Sequence, residues 1–240
     1  MEWPVAFRLW PPRPVEYQFE YDMPLSLHQT VVPAGEIGIW DIEEPEEWFL
    51  DRLLLSPEEQ NQFHKLKGRR RTEWLAARQL VHEMSGRLKR AAFTKDEFGK
   101  PSIRESDFHI SISHSQQKAA AIASPHAVGI DIQHWVPRIE RLAPRFLSPE
   151  ELESLAEGPE ERLFQIHVLW SGKEALYKAY GKKALDFCRH LSIQPLPPGV
   201  RFGQVHGQIS KGAHLQDFRV VFWEQGAYVV AYAIASPGHC

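Results

Sequence analysis

The sequence predicts an α+β fold, and three observations carry that expectation. Apolar residues alternate in both halves of the chain, with Phe108, Ile110 and Ile112 in the first and Val128, Ile130 and Ile132 opening the second. Each half also holds a long stretch with helical period, residues 69–88 in one and the stretch ending at Tyr180 in the other. Three more alternating stretches, near residues 202–209, 218–223 and 228–234, close the second half. One long helix with several strands, occurring twice, is the pattern of two mixed layers rather than of a parallel α/β sheet.

The elements follow in order. The first thirty-odd residues carry prolines among aromatics, as in Trp10-Pro11-Pro12-Arg13-Pro14, and read as an extended arm with one alternating strand over residues 15–21. Glu36-Ile37-Gly38-Ile39-Trp40-Asp41-Ile42 alternates as a strand. Ser56-Pro57-Glu58-Glu59 then starts a helix, with a capping hydroxyl followed by proline in the first turn. In residues 69–88 the apolar members are Trp74, Ala77, Val81, Met84 and Leu88, and Gly86 weakens the end. The strand through Ile110 and Ile112 has residues 119–123 as its expected partner, and Pro125 marks the boundary between subdomains 1–125 and 126–240. Helices between residues 148 and 180 precede the last strands.

Composition narrows the function classes. The 240 residues are 43% hydrophobic, enough for a packed core, and the formal charge of −3 gives no general attraction to nucleic acid. The basic cluster Lys65, Lys67, Arg69, Arg70 and Arg71 reads partly as a solvated helix start and partly as a local anion site. Cys188 and Cys240 are too few for a disulfide framework, so a reducing, cytoplasmic setting is expected. Met1-Glu2-Trp3-Pro4 lacks a basic region followed by an apolar run, and no run of about eighteen apolar residues occurs. Neither an export signal nor a membrane span is expected.

Two segments carry chemistry. In Val128-Gly129-Ile130-Asp131-Ile132-Gln133 the apolar residues take one strand face, leaving Gly129, Asp131 and Gln133 on the other as a ligand face. In Trp170-Ser171-Gly172-Lys173-Glu174-Ala175-Leu176-Tyr177-Lys178 the residues Trp170, Glu174 and Lys178 recur every fourth position, along one side of a helix. A strand carboxylate and a helix carboxylate can thus meet one Mg2+ ion with a lysine beyond. Read alone, Asp131 is a strand-end cap and Glu174 with Lys178 an exposed ion pair; Trp170 on the same side argues against free solvation there.

These segments resemble the paired signatures of the 4'-phosphopantetheinyl transferases, in particular the long, monomeric type that activates surfactin synthetase and similar carrier proteins. Phe98-Gly99-Lys100-Pro101, Ile112-Ser113-His114-Ser115, Arg145-Phe146-Leu147-Ser148-Pro149-Glu150-Glu151 and Gly181-Lys182 agree with it in order, so the resemblance spans roughly residues 50 to 185. It implies a pseudo-dimer of two similar α+β subdomains with coenzyme A in the cleft between them. It also implies Mg2+-dependent transfer of phosphopantetheine to a serine of an acyl, polyketide or peptidyl carrier protein, with 3',5'-ADP released. Asp131, Gln133 and Glu174 are then the expected metal ligands, and Glu174 and Lys178 the catalytic pair.

The resemblance further implies coenzyme contacts at Lys100 and Pro101 near the adenosine, at Ser113 and His114 near the nucleotide end, and at Lys173 and Lys178. Taken alone, Gly99-Lys100-Pro101 is a turn, His114 a surface residue, Lys173 a solvated lysine, and Glu151 the partner of Ser148 in a capping box. Two positions depart from the family. Gln133 stands where this type usually has a glutamate, and Gln60, Asn61 and Gln62 stand where a basic residue is common. The second departure shifts the expected 3'-phosphate contact toward Lys65 or the cluster of Arg69, Arg70 and Arg71. An alternative kept open by Gln133 is a non-catalytic module that binds coenzyme A or a carrier protein; a nucleic-acid-binding role has no basic surface to support it.

Overall fold

The computed structural model describes residues 25–104 and 106–236. Residues 1–24 of the expected arm, with its strand at residues 15–21, and Cys240 lie outside the described residues, whereas the arm's last part, Leu25–Thr30, is a sheet strand. In chain order the strands are β1 (Leu25–Thr30), β2 (Glu36–Asp41), β3 (Phe93–Lys95), β4 (Pro101–Ile103), β5 (His109–Ser115), β6 (Lys118–Ser124), β7 (Val128–His134), β8 (Leu191–Ile193), β9 (Phe202–Lys211), β10 (His214–Gln225) and β11 (Tyr228–Ala235). The helices are α1 (Glu46–Arg52), α2 (Pro57–Phe63), α3 (Arg69–Ser85), α4 (Pro149–Glu153), α5 (Pro159–Tyr180) and α6 (Phe187–His190), with a 3-10 segment over Pro137–Arg145.

Two antiparallel sheets result, one in strand order β1-β2-β6-β5 and the other in order β7-β11-β10-β9-β8. β3 and β4 pair separately. The expected α+β class and its two sheet-containing regions are therefore present. On the first sheet α3 lays Ala77, Leu80 and Val81 against Ala119 and Ala121. On the second, α5 lays Ala175, Leu176 and Ala179 against Phe218, Val220 and Ala233. The remaining faces pack on each other, Ile37, Ile39 and Ile122 meeting Val128, Ile130, Val230 and Ile234. The layers thus run helix, sheet, sheet, helix, and the seam between the sheets crosses the middle of the molecule.

Local signals explain several boundaries. Ser56 and Ser148 each form a complete capping box, with Glu59 and Glu151 respectively, and each is followed by a proline in the first turn. α3 stops at Ser85 because Gly86 takes φ +59°, the left-handed cap conformation, so Leu88 falls outside the helix and is exposed instead of completing its apolar stripe. β7 differs from its expected two-faced pattern, since all residues from Val128 to Ile132 are buried. The face carrying Gly129 lies under α5, where a Cβ on Gly129 would come 1.9 Å from the Ala175 carbonyl oxygen. Only glycine admits that approach, which carries α5 across β7 beside Asp131.

Candidate active site

The strand carboxylate and the helix lysine do meet. Asp131 is 6% exposed, and its Oδ1 accepts from Lys178 Nζ at 2.8 Å and from Ser113 Oγ at 2.8 Å. Lys178 Nζ also donates to the Ile130 carbonyl at 2.8 Å. Its ion pair is therefore with the strand, not with Glu174 four residues away on its own helix. Oδ2 of Asp131 is buried with no hydrogen-bond partner among the described residues. Such an oxygen is costly unless something electropositive occupies the space beside it.

Glu174 is close enough for the two carboxylates to influence each other. Its acidity is weakened, first by burial and then by the negative charge of Asp131, with Lys178 opposing. Glu174 and Gln133 line a cavity of about 680 Å³ whose wall includes Trp170, Phe146, Phe187 and Arg145. Gln133 spends its amide nitrogen on the His134 carbonyl at 3.2 Å, and the amide oxygen is its remaining ligand atom. Among the described residues no three His, Cys, Asp or Glu side chains form a ready metal cluster. Two mutually repelling carboxylates with an orphaned buried oxygen nevertheless fit Mg2+, which commonly takes one or two carboxylates and completes its shell with water and phosphate oxygens.

On the far side of Lys178, a second cavity of about 200 Å³ is bordered by Lys100, Pro101, Lys178, Lys182 and Lys183. Lys100 crosses from the first half to donate to the Ala179 carbonyl at 2.8 Å, and burial lowers its pKa against the opposing charge of Asp96. His114, next to Ser113, has Nδ1 3.0 Å from Glu73 Oε2, and Glu73 also pairs with Arg69 at 3.1 Å. Burial lowers the His114 pKa foremost; Glu73 and Asp131 raise it, while Lys178 and Arg70 lower it further. Arg70, His114, Lys178 and Asp131 therefore share one electrostatic neighbourhood.

Two residues expected to contact the coenzyme are engaged elsewhere. Arg71 makes a forked pair with Glu46, at 2.7 and 2.6 Å, and covers the Phe63 ring at 3.9 Å, which ties α3 to α1 and α2. Lys173 is fully buried and donates to the Phe146 carbonyl (2.8 Å), the Phe187 carbonyl (2.8 Å) and Glu151 Oε2 (2.5 Å). The adjacent position on a helix points about 100° away, which takes Lys173 off the Glu174 side and into the core. Glu151 closes its capping box and, besides, accepts from Lys173 and from the Ile193 N–H at 3.2 Å. This knot fixes Phe146 and Phe187 around Trp170, at ring separations of 4.8 and 5.7 Å, and so shapes the larger cavity. Lys173→Ala strands the Glu151 carboxylate in the core, and urea unfolding should show a loss of about 3 kcal/mol or more.

Sequence reasoning did not find Glu73, Ser111, Ser115 or His167. His167 is fully buried on α5, and its Nε2 accepts from the Val136 N–H at 3.1 Å, anchoring the start of the 3-10 segment that walls the larger cavity. Burial pushes its pKa down from 6.5 to about 4. Between those values the unfolded chain holds the extra proton, so stability should fall as pH drops from 6.5 to 4, by about 3 kcal/mol in all from this group. Denaturant titrations at pH 7 and 4.5 check this; His167→Gln, which does not titrate, should lose correspondingly less.

Comparison with known proteins gives a consistent result. The family model described as the 4'-phosphopantetheinyl transferase superfamily matches residues 127–233, and that of the 4'-phosphopantetheinyl transferase N-terminal domain matches residues 58–124. The chain is 36% identical over 109 residues to the 4'-phosphopantetheinyl transferase psf-1 of Bacillus pumilus, covering 44% of this chain and 46% of that protein. It is 33% identical over 113 residues to the 4'-phosphopantetheinyl transferase gsp of Aneurinibacillus migulanus, 46% of each. With the 4'-phosphopantetheinyl transferase HetI of Nostoc sp. it shares 32% identity over 167 residues, 62% of this chain and 70% of that protein. The chain thus spans about half the length of the first two relatives and over two thirds of the third. No helix among the described residues is long and apolar enough to cross a membrane.

Proposed function

The chain belongs to the 4'-phosphopantetheinyl transferase superfamily, and from that membership we propose that it transfers phosphopantetheine from coenzyme A to a carrier-protein serine, with Mg2+, releasing 3',5'-ADP. The observation that carries this reading is the Asp131 carboxylate, with one oxygen held twice and the other buried and, among the described residues, unpartnered near Glu174. Asp131 and Glu174 would hold the ion, with the Gln133 amide oxygen or a water as a further ligand. Mg2+ bound there would offset the charge of the donor's pyrophosphate and orient it for in-line attack.

The chain's own groups have distinct tasks. Glu174, a weakened acid, takes the proton from the attacking serine hydroxyl. A serine oxygen–phosphorus bond forms, and the bond from that phosphorus to the bridging oxygen of the pyrophosphate breaks. Lys178, held between Asp131 and the Ile130 carbonyl, offers its charge to the departing phosphate of 3',5'-ADP. Lys100, Arg70 and His114 supply cationic or hydrogen-bonding groups for the nucleotide end. The larger cavity places Arg138, Arg145 and Arg189 beside apolar Ile139 and Leu142, a surface suited to a carrier protein with acidic and apolar groups around its serine.

Release of 3',5'-ADP, followed chromatographically, tests the reading. It should require coenzyme A, Mg2+ and an apo carrier protein together. Coenzyme binding with no product under any carrier would favour the non-catalytic module, which Gln133 motivates. Gln133→Glu adds a charged oxygen to the proposed ligand set and should lower the Mg2+ concentration for half-maximal transfer several-fold. An unchanged or raised requirement in a magnesium titration removes position 133 from the metal shell.

A further inference from the structure

We propose that Ser113 is a positioning residue for Asp131, whatever contact it also makes with the donor, and that the alternating hydroxyls of β5 align the ligand-bearing strand. Among the described residues β7 is an edge strand, paired with β11 on one side only. An edge leaves a row of backbone donors without ladder partners. Here the Ile130 N–H donates to Ser111 Oγ at 3.1 Å and the His134 N–H to Ser115 Oγ at 3.0 Å. Ser111, Ser113 and Ser115 are two residues apart and so share one face of β5, turned toward β7. Side-chain hydroxyls thus take the place of a strand ladder across the seam between the two sheets.

Ser113, in the middle of this row, does something different. Its hydroxyl donates to Asp131 Oδ1, the oxygen that Lys178 also holds. An ionised carboxylate only accepts, so two donors converging on one oxygen fix its plane and leave Oδ2 as the oxygen available to a cation. Ser113 is 7% exposed, and its one hydroxyl hydrogen is already committed to Asp131. The ligand face of the second sheet is in this way set by a residue of the first, so the site is complete only when both sheets are in register. The inference rests on the Mg2+ reading of Asp131 given above.

The test is Mn2+ binding to the full chain with coenzyme A present, followed by the electron paramagnetic resonance of the free ion, beside calorimetric coenzyme binding in EDTA. Ser113→Ala should weaken Mn2+ by about tenfold or more, as for loss of a hydrogen bond to a ligating side chain, and by a clearly larger factor than it weakens coenzyme binding in EDTA. Ser113→Thr, which keeps the hydroxyl on a strand-compatible side chain, should restore most of the affinity. Ser111→Ala should lower the thermal midpoint with Mn2+ affinity unchanged. If Ser113→Ala does not fold, Ser113→Cys, of similar size but a weak donor, makes the same comparison.

Wild-type Mn2+ affinity in the Ser113 variants overturns the inference and leaves the metal reading standing. A Ser113 variant that loses coenzyme binding in EDTA as much as it loses Mn2+ assigns the serine to the donor and also overturns it. A wild-type chain that takes up no Mn2+ removes the metal reading and the inference with it.

Discussion

Asp131→Asn should lower transfer by about 1,000-fold or more while the chain still folds. The substitution keeps the shape and lets Ser113 go on donating to an oxygen, but it removes the charge that both the metal and Lys178 require. Lys178 retains the Ile130 carbonyl as a partner and is a quarter exposed, so the stability loss should stay near 1–2 kcal/mol. Steady-state transfer measured with thermal melts separates the two effects. Transfer within tenfold of wild type at limiting Mg2+ would take Asp131 out of the reaction.

Glu174→Gln should cost a similar factor, about 1,000-fold in turnover, because one group is lost both as a ligand and as the acceptor of the serine proton. Its stability effect should be small or favourable, since burial and the neighbouring Asp131 already work against the charged form. Donor binding measured in EDTA should be nearly unchanged, because neither role operates without metal or carrier. A variant that turns over normally but binds coenzyme A poorly would reassign Glu174 to donor binding.

The parts of the site that lie along single elements were legible from sequence. Alternation in residues 128–133 and four-residue spacing from Trp170 to Lys178 found β7 and α5, because each pattern reflects one element's own period. The hairpin of β5 with β6, the cap at Ser56 and the Ser148–Glu151 capping box were legible too, because each is a local signal. What escaped was set by distant partners. Arg71 sits in a basic run that suggests an anion site, yet Glu46, 25 residues earlier, claims it with two hydrogen bonds. Lys173 looks like a flank of Glu174 until the fold brings Glu151 and two carbonyls around it. The strand face expected to present ligands openly is covered by α5, because Gly129 lets the helix approach. Ser113 and Glu73 acquire roles only across the seam and between α3 and β5, and no spacing rule reports such contacts.

Intact-mass analysis of a panel of apo acyl, polyketide and peptidyl carrier proteins, each incubated with coenzyme A, Mg2+ and this protein, measures the proposed reaction most directly. At least one carrier should gain a single phosphopantetheine on its serine, and a Ser→Ala form of that carrier should gain none. The Asp131→Asn protein should leave that carrier unmodified over the same incubation. A whole panel left unmodified while coenzyme A still binds would contradict the transfer reaction and leave a binding module in its place.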